Sequence, residues 1–488
     1  MSSRNPPRLL DLAIQSVLQD EPSAIAALEW LPTQLFPPLF MGAVAGGHED
    51  AVKAMVVYWP FIRLPLGALL ESGHSHQDIL KAALDGFDVL LAQKVPPRRS
   101  KLKVLDLRLD TGSNFWKVWS GTESVASVPS SEDPATTQPW TVIHRGKNST
   151  AGEGPQPLAS MVLLTDLCFL ETIPDELFTF LNERVKHGKA LPSLCCRKLE
   201  FVSLLELPIM EEILNAVQPD SVQEAGVHCS WDLHTLNWFL PYLSQMGHLS
   251  ILHLSRISLD PLGAPSVSKL EKVLGKLASH LRSLHRLRRL IVEYVFFLNE
   301  QLGQLLGCVP TPLESLAVMN CVPLDADMSS LCECPCTSHL RSLDLSGIFM
   351  ARLSHGFLPR LLQRVSATLT HLNLSDCNIN DSVLSTLQPA LGRCSRLSTL
   401  LLGGNRVSTA VLQGLLQHTW PRCMFSLLEL PVPQDCYDHP QGPLRQDTLA
   451  EVMQELRVTL QARRPLSVSF VPSTRDRAWD EIIVHMDS

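Results

Sequence analysis

The chain has 488 residues, of which 45% are hydrophobic and 18% are charged. This length exceeds the size at which one compact core stops growing, and the hydrophobic content excludes disorder throughout. The net charge is −8, from 41 basic and 49 acidic residues, whereas nucleic-acid-binding proteins typically carry an excess of basic residues. We therefore expect protein partners and no direct nucleic-acid contact.

Features of export and membrane insertion are missing from the sequence. Asp11, Gln15 and Gln19 interrupt the apolar stretch near the N-terminus, which is therefore not a secretory signal. No apolar run approaches the roughly 18 to 20 residues that cross a bilayer, so no membrane contact is expected. We interpret the 13 cysteines as reduced thiols, and the expected compartments are cytoplasm and nucleus.

Residues 1–95 show apolar side chains at helical spacing in five successive segments, with prolines at the joints. The segments are Arg8–Gln19, Ser23–Trp30, Gln34–Ala45, Glu49–Tyr58 and His76–Gln93. We predict that they form a small helical module at the N-terminal end of the fold.

Residues 96–108 contain the sequence LKVLDLR, which predicts a first repeat strand. In residues 109–160, which follow, Ser, Thr, Pro and Gly crowd together. Because such a composition cannot bury a core, we predict a disordered insertion over this whole segment.

Residues 161–445 carry an internal repeat. LxxLxL-like blocks begin at Leu249, Leu287, Leu313, Leu340, Leu369, Leu397 and Phe425. Successive starts differ by 38, 26, 27, 29, 28 and 28 residues, which is typical of long leucine-rich repeats with one strand and one helix each. Weaker units occur upstream in MVLLTDLCF, LCCRKLEF and residues 222–227. The predicted fold class is α/β, a leucine-rich repeat solenoid with an N-terminal helical cap. Residues 446–488 are predicted to cap the other end of the solenoid with a helix, a strand and a tail.

Alternation along each repeat strand assigns its side chains to two faces. In LTHLNLSDCNI, Leu369, Leu372 and Leu374 are predicted to enter the core. Cys377 and Asn405, at turns after strands, are predicted to satisfy backbone groups. The outward strand residues that are candidates for contacting a target protein are Arg288, Glu293, Ser342, Asp344, His371, Asn373 and Ser398.

Blocks in both halves of the chain carry a family resemblance. They include PPRLLDLAIQSVL, AIAALEWLPTQLFPPLFMGAV, AMVVYWPFIRLPLGALL, PLESLAVMNC and CSRLSTLLLGGN. These blocks resemble the PRAME (preferentially expressed antigen in melanoma) family over almost the full length. The resemblance implies an intracellular adaptor similar to the substrate receptors of ubiquitin ligases built on elongin B, elongin C and cullin-2. It also implies restrained apoptosis, differentiation and transcription, and sustained cell proliferation.

The resemblance further implies two docking boxes. An elongin-binding box needs a leucine, a small residue four positions later and an aliphatic residue four after that, on one helix face. Leu9, Ala13 and Val17 meet this spacing. The pattern of a cullin-2 box is met by Leu31, Pro32, Leu35 and Leu39. Any packed helix offers the same leucine spacing, so burial of this face is the alternative.

The pattern LxxLL, by which coregulators dock on nuclear receptors, begins at Leu66, Leu302, Leu358, Leu397 and Leu412. In a leucine-rich chain it is nearly unavoidable, and burial in the solenoid would hide it. The alternative function is a scaffold or transcriptional corepressor that binds a nuclear receptor or a chromatin protein without a ligase.

Motifs of catalysis are missing: HExxH, the phosphate loop, GxGxxG and GxSxG do not occur. Cys332, Cys334 and Cys336 lack the spacing of a zinc knuckle and are interpreted as exposed or loop thiols. We predict a non-catalytic adaptor without cofactor or metal, whose protein substrate is unknown. An inhibitor that covers an enzyme with its strand face is a third possibility.

Overall fold

The structure is a computed structural model in which the chain divides into two compact units. The first unit comprises Met1–Arg197 and Leu205–Ser221, and the second comprises Lys198–Leu204 and Val222–Ser488. The residues that the structure describes are 8–70, 76–93, 95–109, 113–120, 161–170, 176–203, 206–258, 267–295, 301–354, 356–439, 442–459 and 467–472.

The first unit begins with helices and continues with alternating strands and helices. Its elements are α1 (Leu9–Leu18), α2 (Glu21–Ala27), α3 (Phe36–Gly46), α4 (Glu49–Val57), β1 (Arg63–Pro65), α5 (His76–Ala92), β2 (Val104–Asp106), α6 (Ser113–Ser120), β3 (Val162–Phe169), α7 (Glu176–Lys186), β4 (Ser193–Phe201) and α8 (Leu207–Ala216). The strands follow the order β1-β2-β3-β4, and the unit boundary falls inside β4. The five predicted N-terminal helices are confirmed, each within a few residues of its expected ends.

The second unit is a solenoid of strands and helices. Its elements are β5 (Glu224–Val227), β6 (Trp231–Asp232), α9 (Leu233–Leu243), β7 (Ile251–Ser255), β8 (Ile257–Ser258), α10 (Val267–Leu281), β9 (Arg289–Glu293), α11 (Leu302–Leu306), β10 (Ser315–Met319), α12 (Asp325–Glu333), β11 (Ser342–Asp344), α13 (Phe357–Val365), β12 (His371–Asn373), α14 (Asp381–Leu391), β13 (Thr399–Leu401), α15 (Thr409–Thr419), β14 (Leu427–Pro431), α16 (Gln446–Thr459) and β15 (Ser467–Val471). The second part of β4 and the strands β5, β7 and β9 to β15 pair in parallel in chain order, while β6 pairs with β8. Every predicted LxxLxL block is confirmed as a repeat, with its strand starting two residues after the block begins.

Short 3-10 helices connect several of these elements. They span Thr33–Leu35, Gly67–Leu69, Pro219–Ser221, Pro335–Thr337, Met350–Arg352 and Gln434–Cys436.

Parallel pairing places equivalent positions of successive repeats side by side. Leu343, Leu372 and Leu400 are register partners, and each is at most 1% exposed. On either side of Leu372, His371 and Asn373 lie on the opposite face of the strand, as alternation predicts. Because burial of one leucine side chain contributes about 2 kcal/mol, the leucine stacks hold the repeats together.

Buried polar side chains stabilise the turns that follow the strands. The Asn405 side-chain amide donates to the carbonyl oxygen of Leu374 at 2.8 Å, and its amide oxygen accepts from the backbone N–H of Ile379 at 2.9 Å. The Cys377 thiol donates to the carbonyl oxygen of Leu345 at 3.1 Å. The predicted role of Asn405 and Cys377 as turn residues is confirmed.

Capping side chains fix where several outer helices begin. Asp232, Asn380 and Ser408 precede α9, α14 and α15, and each accepts a hydrogen bond from a backbone N–H in the first turn. Such a cap stabilises a helix by about 1 kcal/mol. Leu384 and Leu391 then lie on the buried face of α14.

An aromatic cluster forms the core of the first unit around the fully buried Trp59. Rings within 6.5 Å of its centroid belong to Phe36, Phe40, Phe61, Phe115 and Trp116. The last two come from α6, and the Trp116 indole donates to the Pro65 carbonyl oxygen at 2.7 Å. The predicted disordered insertion is therefore wrong at its start, because two aromatic side chains bury enough apolar surface to hold α6. Residues 121–160 lie outside the described residues.

The sheet starts earlier than predicted. The strand expected in residues 96–108 is β2, but β1 precedes it inside the segment assigned to helices and pairs with it in parallel. Asp106 of β2 is fully buried and binds the guanidinium groups of Arg63 and Arg108, with Arg108 Nε 2.9 Å from its Oδ1. Burial alone would raise the pKa of Asp106, but the hydrogen bond and charge of Arg108 and the charge of Arg63 outweigh it and hold this pKa below its usual value.

Candidate protein-binding surfaces

Helix α1 packs against α3 through one of its faces. Leu18 is 3% exposed and Ile14 is half-buried. Gly42 of α3 lies against both side chains, since an added Cβ would clash with Ile14 Cγ2 and would lie 3.3 Å from Leu18 Cδ1. The missing side chain of Gly42 thus allows the two helices to approach closely, and this contact determines which face of α1 is turned away.

The outer face of α1 carries the predicted elongin-binding residues. Leu9 is 87% exposed, Val17 is 45% exposed, and Ala13 between them is also exposed. At about 100° per residue, these three positions span about 80° of the helix surface. They form a continuous apolar strip, called here the α1 strip, which the first unit leaves open.

The four residues of the predicted cullin-2 box do not share one surface. Pro32 and Leu35 are exposed, and Leu31 is half-buried. Leu39 lies in α3 and is only 6% exposed, so it belongs to the core. An accessible surface at this box therefore consists of Pro32, Leu35 and part of Leu31.

The turn between α2 and α3 is held by Arg99, a contact that sequence reasoning missed. Its guanidinium donates to the carbonyl oxygens of Leu28, at 3.2 Å, and of Leu31. It also lies over the Phe36 ring, 5.4 Å from the centroid. Arg99 thereby fixes the backbone of the segment that carries Trp30, whose side chain is 82% exposed.

Exposed apolar side chains concentrate near the N-terminus. Of the 17 large ones in the described residues, six fall between positions 9 and 35: Leu9, Leu10, Leu12, Val17, Trp30 and Leu35. Such a concentration is typical of a protein-interaction surface. Sequence reasoning missed Trp30 because nothing local distinguishes it from the buried Trp59.

The strands of the second unit form the surface predicted to contact a target. Ser342 and His371 are register partners, as are Asp344 and Asn373. The Asn373 side-chain amide donates to Asp344 Oδ2 at 2.9 Å, so these two side chains form a fixed polar pair. Glu293 ends β9 and is half-buried.

Two of the predicted target-contacting residues lie outside the strands. Arg288 and Ser398 immediately precede β9 and β13. Both still belong to the backbone ladder, because Arg288 N–H donates to the Ser250 carbonyl at 2.9 Å and Ser398 N–H donates to the Thr370 carbonyl at 2.8 Å. Alternation placed them on the strand face, but they form the edge of the sheet where the strands begin.

A histidine pair lies beside Glu293 on the strand surface. The rings of His228 and His253 are edge to face, with centroids 4.5 Å apart. Glu293 lies 3.8 Å from His253 Nε2 and accepts from the Ser255 hydroxyl at 3.3 Å. Burial and the neighbouring His228 lower the pKa of His253. Sequence reasoning missed this pair, since residues 25 positions apart meet only through the stacking of repeats.

The three cysteines of CECPC are buried, so their interpretation as exposed thiols is wrong, whereas Cys334 does lie in the turn that follows α12. Cys332, Cys334 and Cys336 are 9%, 7% and 2% exposed. The sulfur atoms of Cys334 and Cys336 lie 2.9 Å apart, and the hydrogen bond between the two thiols lowers the pKa of Cys334 and raises that of Cys336. Within the described chain, no cluster of three or more His, Cys, Asp or Glu side chains could hold a metal ion.

The LxxLL motifs are not accessible at their first leucines. Leu66, Leu302, Leu358, Leu397 and Leu412 are all at most 3% exposed. A nuclear receptor needs these leucines on an open helix face, so the folded units do not offer these motifs.

No helix among the residues described combines the length and the apolar character needed to cross a membrane.

Strand order, register and turn residues define a leucine-rich repeat protein of the long, strand-plus-helix class, with an open apolar strip on its first helix. Comparison with family profiles matches residues 6–116 to the PRAME N-terminal domain and residues 161–478 to the PRAME C-terminal domain. The chain belongs to the PRAME family.

Full-length relatives support this assignment. PRAME family member 12 of Homo sapiens is 39% identical over 480 residues, covering 97% of this chain and 95% of the relative. PRAME family member 20 of Homo sapiens is 40% identical over 466 residues, covering 95% of this chain and 94% of that relative.

Among solved structures, the leucine-rich repeat-containing protein LegL7 from Legionella pneumophila aligns with 64% of this chain and 93% of its own chain, with a TM-score of 0.32 and 14% identity.

Proposed function

We propose that this protein is a substrate-recognition adaptor of a ubiquitin ligase built on cullin-2, elongin B and elongin C. The observation that carries the proposal is the open α1 strip of Leu9, Ala13 and Val17, with Leu9 87% exposed. An apolar strip at this spacing fits the helix-in-groove mode of recognition, in which one helix face enters a hydrophobic groove of the partner. Elongin C would supply that groove.

Cullin-2 would contact the segment after α2. Pro32 and Leu35 are exposed there, and Arg99 holds the preceding backbone through its hydrogen bonds to carbonyl oxygens. A pre-ordered segment loses little conformational entropy on binding, which favours affinity. Trp30 would extend this contact, because large aromatic side chains are enriched among residues that dominate binding energy.

The adaptor would act by proximity and without catalysis of its own. The strand surface of the second unit, including the Asp344–Asn373 pair and His371, would hold a target protein while the recruited ligase transfers ubiquitin. The cellular consequences would be restrained apoptosis, differentiation and transcription, and sustained proliferation, in the cytoplasm and nucleus.

The experiment is co-purification of the full chain with elongin B, elongin C and cullin-2. The test variant is Leu9→Ser plus Val17→Ser. The matched control is Val95→Ser plus Ile62→Ser, since these residues of the same unit are 81% and 49% exposed, against 87% and 45% in the test variant. Leu35→Ser separately tests the cullin-2 contact.

We expect stoichiometric elongin capture by the wild type and the control, and at least a roughly tenfold loss in the test variant. Leu35→Ser should retain the elongins and lose cullin-2. Absence of capture by folded wild-type protein, or equal capture by the test variant, would refute the adaptor and leave a ligase-independent scaffold as the better account.

A further inference from the structure

The turns that lead into β5, β7, β9 and β10 line an open recess of about 650 Å³ in the second unit. Its lining includes His248, Ser250, His285, Arg286, Arg288 and Thr311. The turns lie side by side because the backbone hydrogen bonds between neighbouring repeats already begin at the residue that precedes each strand. Glu314 N–H donates to the Arg288 carbonyl and Arg341 N–H to the Glu314 carbonyl, both at 2.8 Å. We call this feature the basic recess.

Positive charge dominates the basic recess. Arg286 and Arg288 are exposed in its lining, and the exposed Arg289 and Arg341 begin or precede neighbouring strands. Glu314 is its acidic lining residue and lies 3.4 Å from Arg288, with the two side chains 49% and 70% exposed. An ion pair this exposed is weak. Among the described residues, Arg286, Arg289 and Arg341 form no ion pair.

The hydroxyl donors of the basic recess are already used. The Ser250 hydroxyl donates to the Gln223 carbonyl at 3.0 Å, and the Thr311 hydroxyl donates to the Leu287 carbonyl at 2.9 Å. The groups left for a ligand are therefore the guanidinium and imidazole groups and the side-chain amide of the exposed Gln223. Guanidinium groups bind carboxylates through paired, charge-assisted hydrogen bonds.

We propose that the basic recess binds an acidic segment of a partner protein in extended conformation. Arg288 and Arg341 occupy the same ladder position two strands apart, about 10 Å at the usual strand spacing. A chain in the extended polyproline II conformation advances about 3.1 Å per residue and returns to the same face every three residues. Acidic side chains three residues apart therefore lie about 9 Å apart on one face and reach both arginines. This inference is independent of the α1 strip and of the ligase.

The basic recess suits a peptide better than a nucleic acid. Its lining arginines, with the neighbouring Arg289 and Arg341, extend only from β9 to β11. They would therefore neutralise few phosphates, whereas non-specific nucleic-acid binding depends on many. The whole chain has a net charge of −8, which repels a long polyanion. A short acidic peptide avoids most of that repulsion because charges beyond about 8 Å are screened at physiological salt.

The test measures fluorescence anisotropy of the full chain with a labelled peptide of about a dozen residues carrying Glu at every third position. The comparison probes are the same peptide with Gln for Glu and a single-stranded oligonucleotide of equal charge. The test variant is Arg286→Glu plus Arg288→Glu. The control is Arg393→Glu plus Arg396→Glu, which makes the same charge change at exposed residues before β13, about 19 Å further along the sheet.

We expect the Glu peptide to bind the wild type and the control equally and the test variant at least roughly tenfold more weakly. The Gln peptide and the oligonucleotide should bind more weakly than the Glu peptide. Circular dichroism and thermal unfolding identify a variant that fails to fold, and Arg288→Gln alone then replaces it, with a smaller loss expected. No binding of the Glu peptide, equal loss in the control, or tighter binding of the oligonucleotide would overturn the proposal. None of these results depends on elongin capture.

Discussion

Leu9 and Leu18 lie on the same helix and are expected to respond very differently to truncation to alanine. Leu18 is 3% exposed against α3, so Leu18→Ala should cost about 3 kcal/mol of unfolding free energy, as for other buried leucines. Leu9 is 87% exposed, so it keeps only about one eighth of a burial energy of about 2 kcal/mol. Leu9→Ala should therefore change stability by less than about 0.5 kcal/mol, because alanine also has the higher helix propensity.

The assay is urea unfolding of the full chain, followed by tryptophan fluorescence, to which Trp59 and Trp116 of the aromatic cluster contribute. The shift in the urea midpoint of the first unit's transition, multiplied by the slope of its unfolding free energy against urea concentration, gives the change in unfolding free energy. Equal destabilisation by the two substitutions would mean that Leu9 is buried in the native state. In that case the α1 strip would not be open, and the reasoning about its accessibility would be refuted.

Three further substitutions test other contacts of the fold. Gly42→Ala should destabilise the first unit by about 1 to 3 kcal/mol in urea unfolding, because its methyl group would clash with Ile14, and unchanged stability would contradict the close approach of α1 and α3. Asp106→Asn should cost about 3 kcal/mol at pH 7, because it leaves Arg63 and Arg108 without their buried partner. The native pKa of Asp106 lies below 3.8, so its contribution is complete above that pH and is lost as the pH falls through the native pKa. The difference between wild type and Asp106→Asn in unfolding midpoints should accordingly shrink below about pH 4, and a constant difference from pH 7 to 2 would contradict this. Asn405→Ala should lower stability by about 2 to 4 kcal/mol, because buried backbone groups lose their partners, and a thermal unfolding midpoint equal to that of the wild type would contradict the role assigned to this turn.

The repeats could be predicted from the sequence because their determinants are local and recur. Leu369, Leu372 and Leu374 have a spacing that only one face of a short strand can satisfy, and the same spacing returns in every repeat. The strand β1 escaped prediction because it has only three residues and ends at Pro65. Helix α6 was missed because its two core aromatic residues adjoin a long segment whose composition excludes a core.

The candidate surfaces could be predicted only in part. The spacing of Leu9, Ala13 and Val17 is visible in the sequence. Their exposure, however, depends on which face of α1 packs against Gly42 of α3. Leu39 fits the cullin-2 pattern by spacing, yet α3 places it in the core. The basic recess was missed because residues of successive repeats, 26 to 38 positions apart in sequence, become neighbours only in the solenoid.

Accessibility of α1 with and without elongins tests the central claim most directly. In Ala13→Cys the new thiol lies on the α1 strip, whereas eleven native thiols are buried and those of Cys168 and Cys229 are half-buried. The control, Gln15→Cys, places an exposed thiol on the same helix, about 200° around the helix axis from Ala13. We predict rapid maleimide labelling of both variants alone and, with elongin B and elongin C present, protection of Ala13→Cys with continued labelling of Gln15→Cys. Equal labelling of Ala13→Cys with and without saturating elongins would contradict the account.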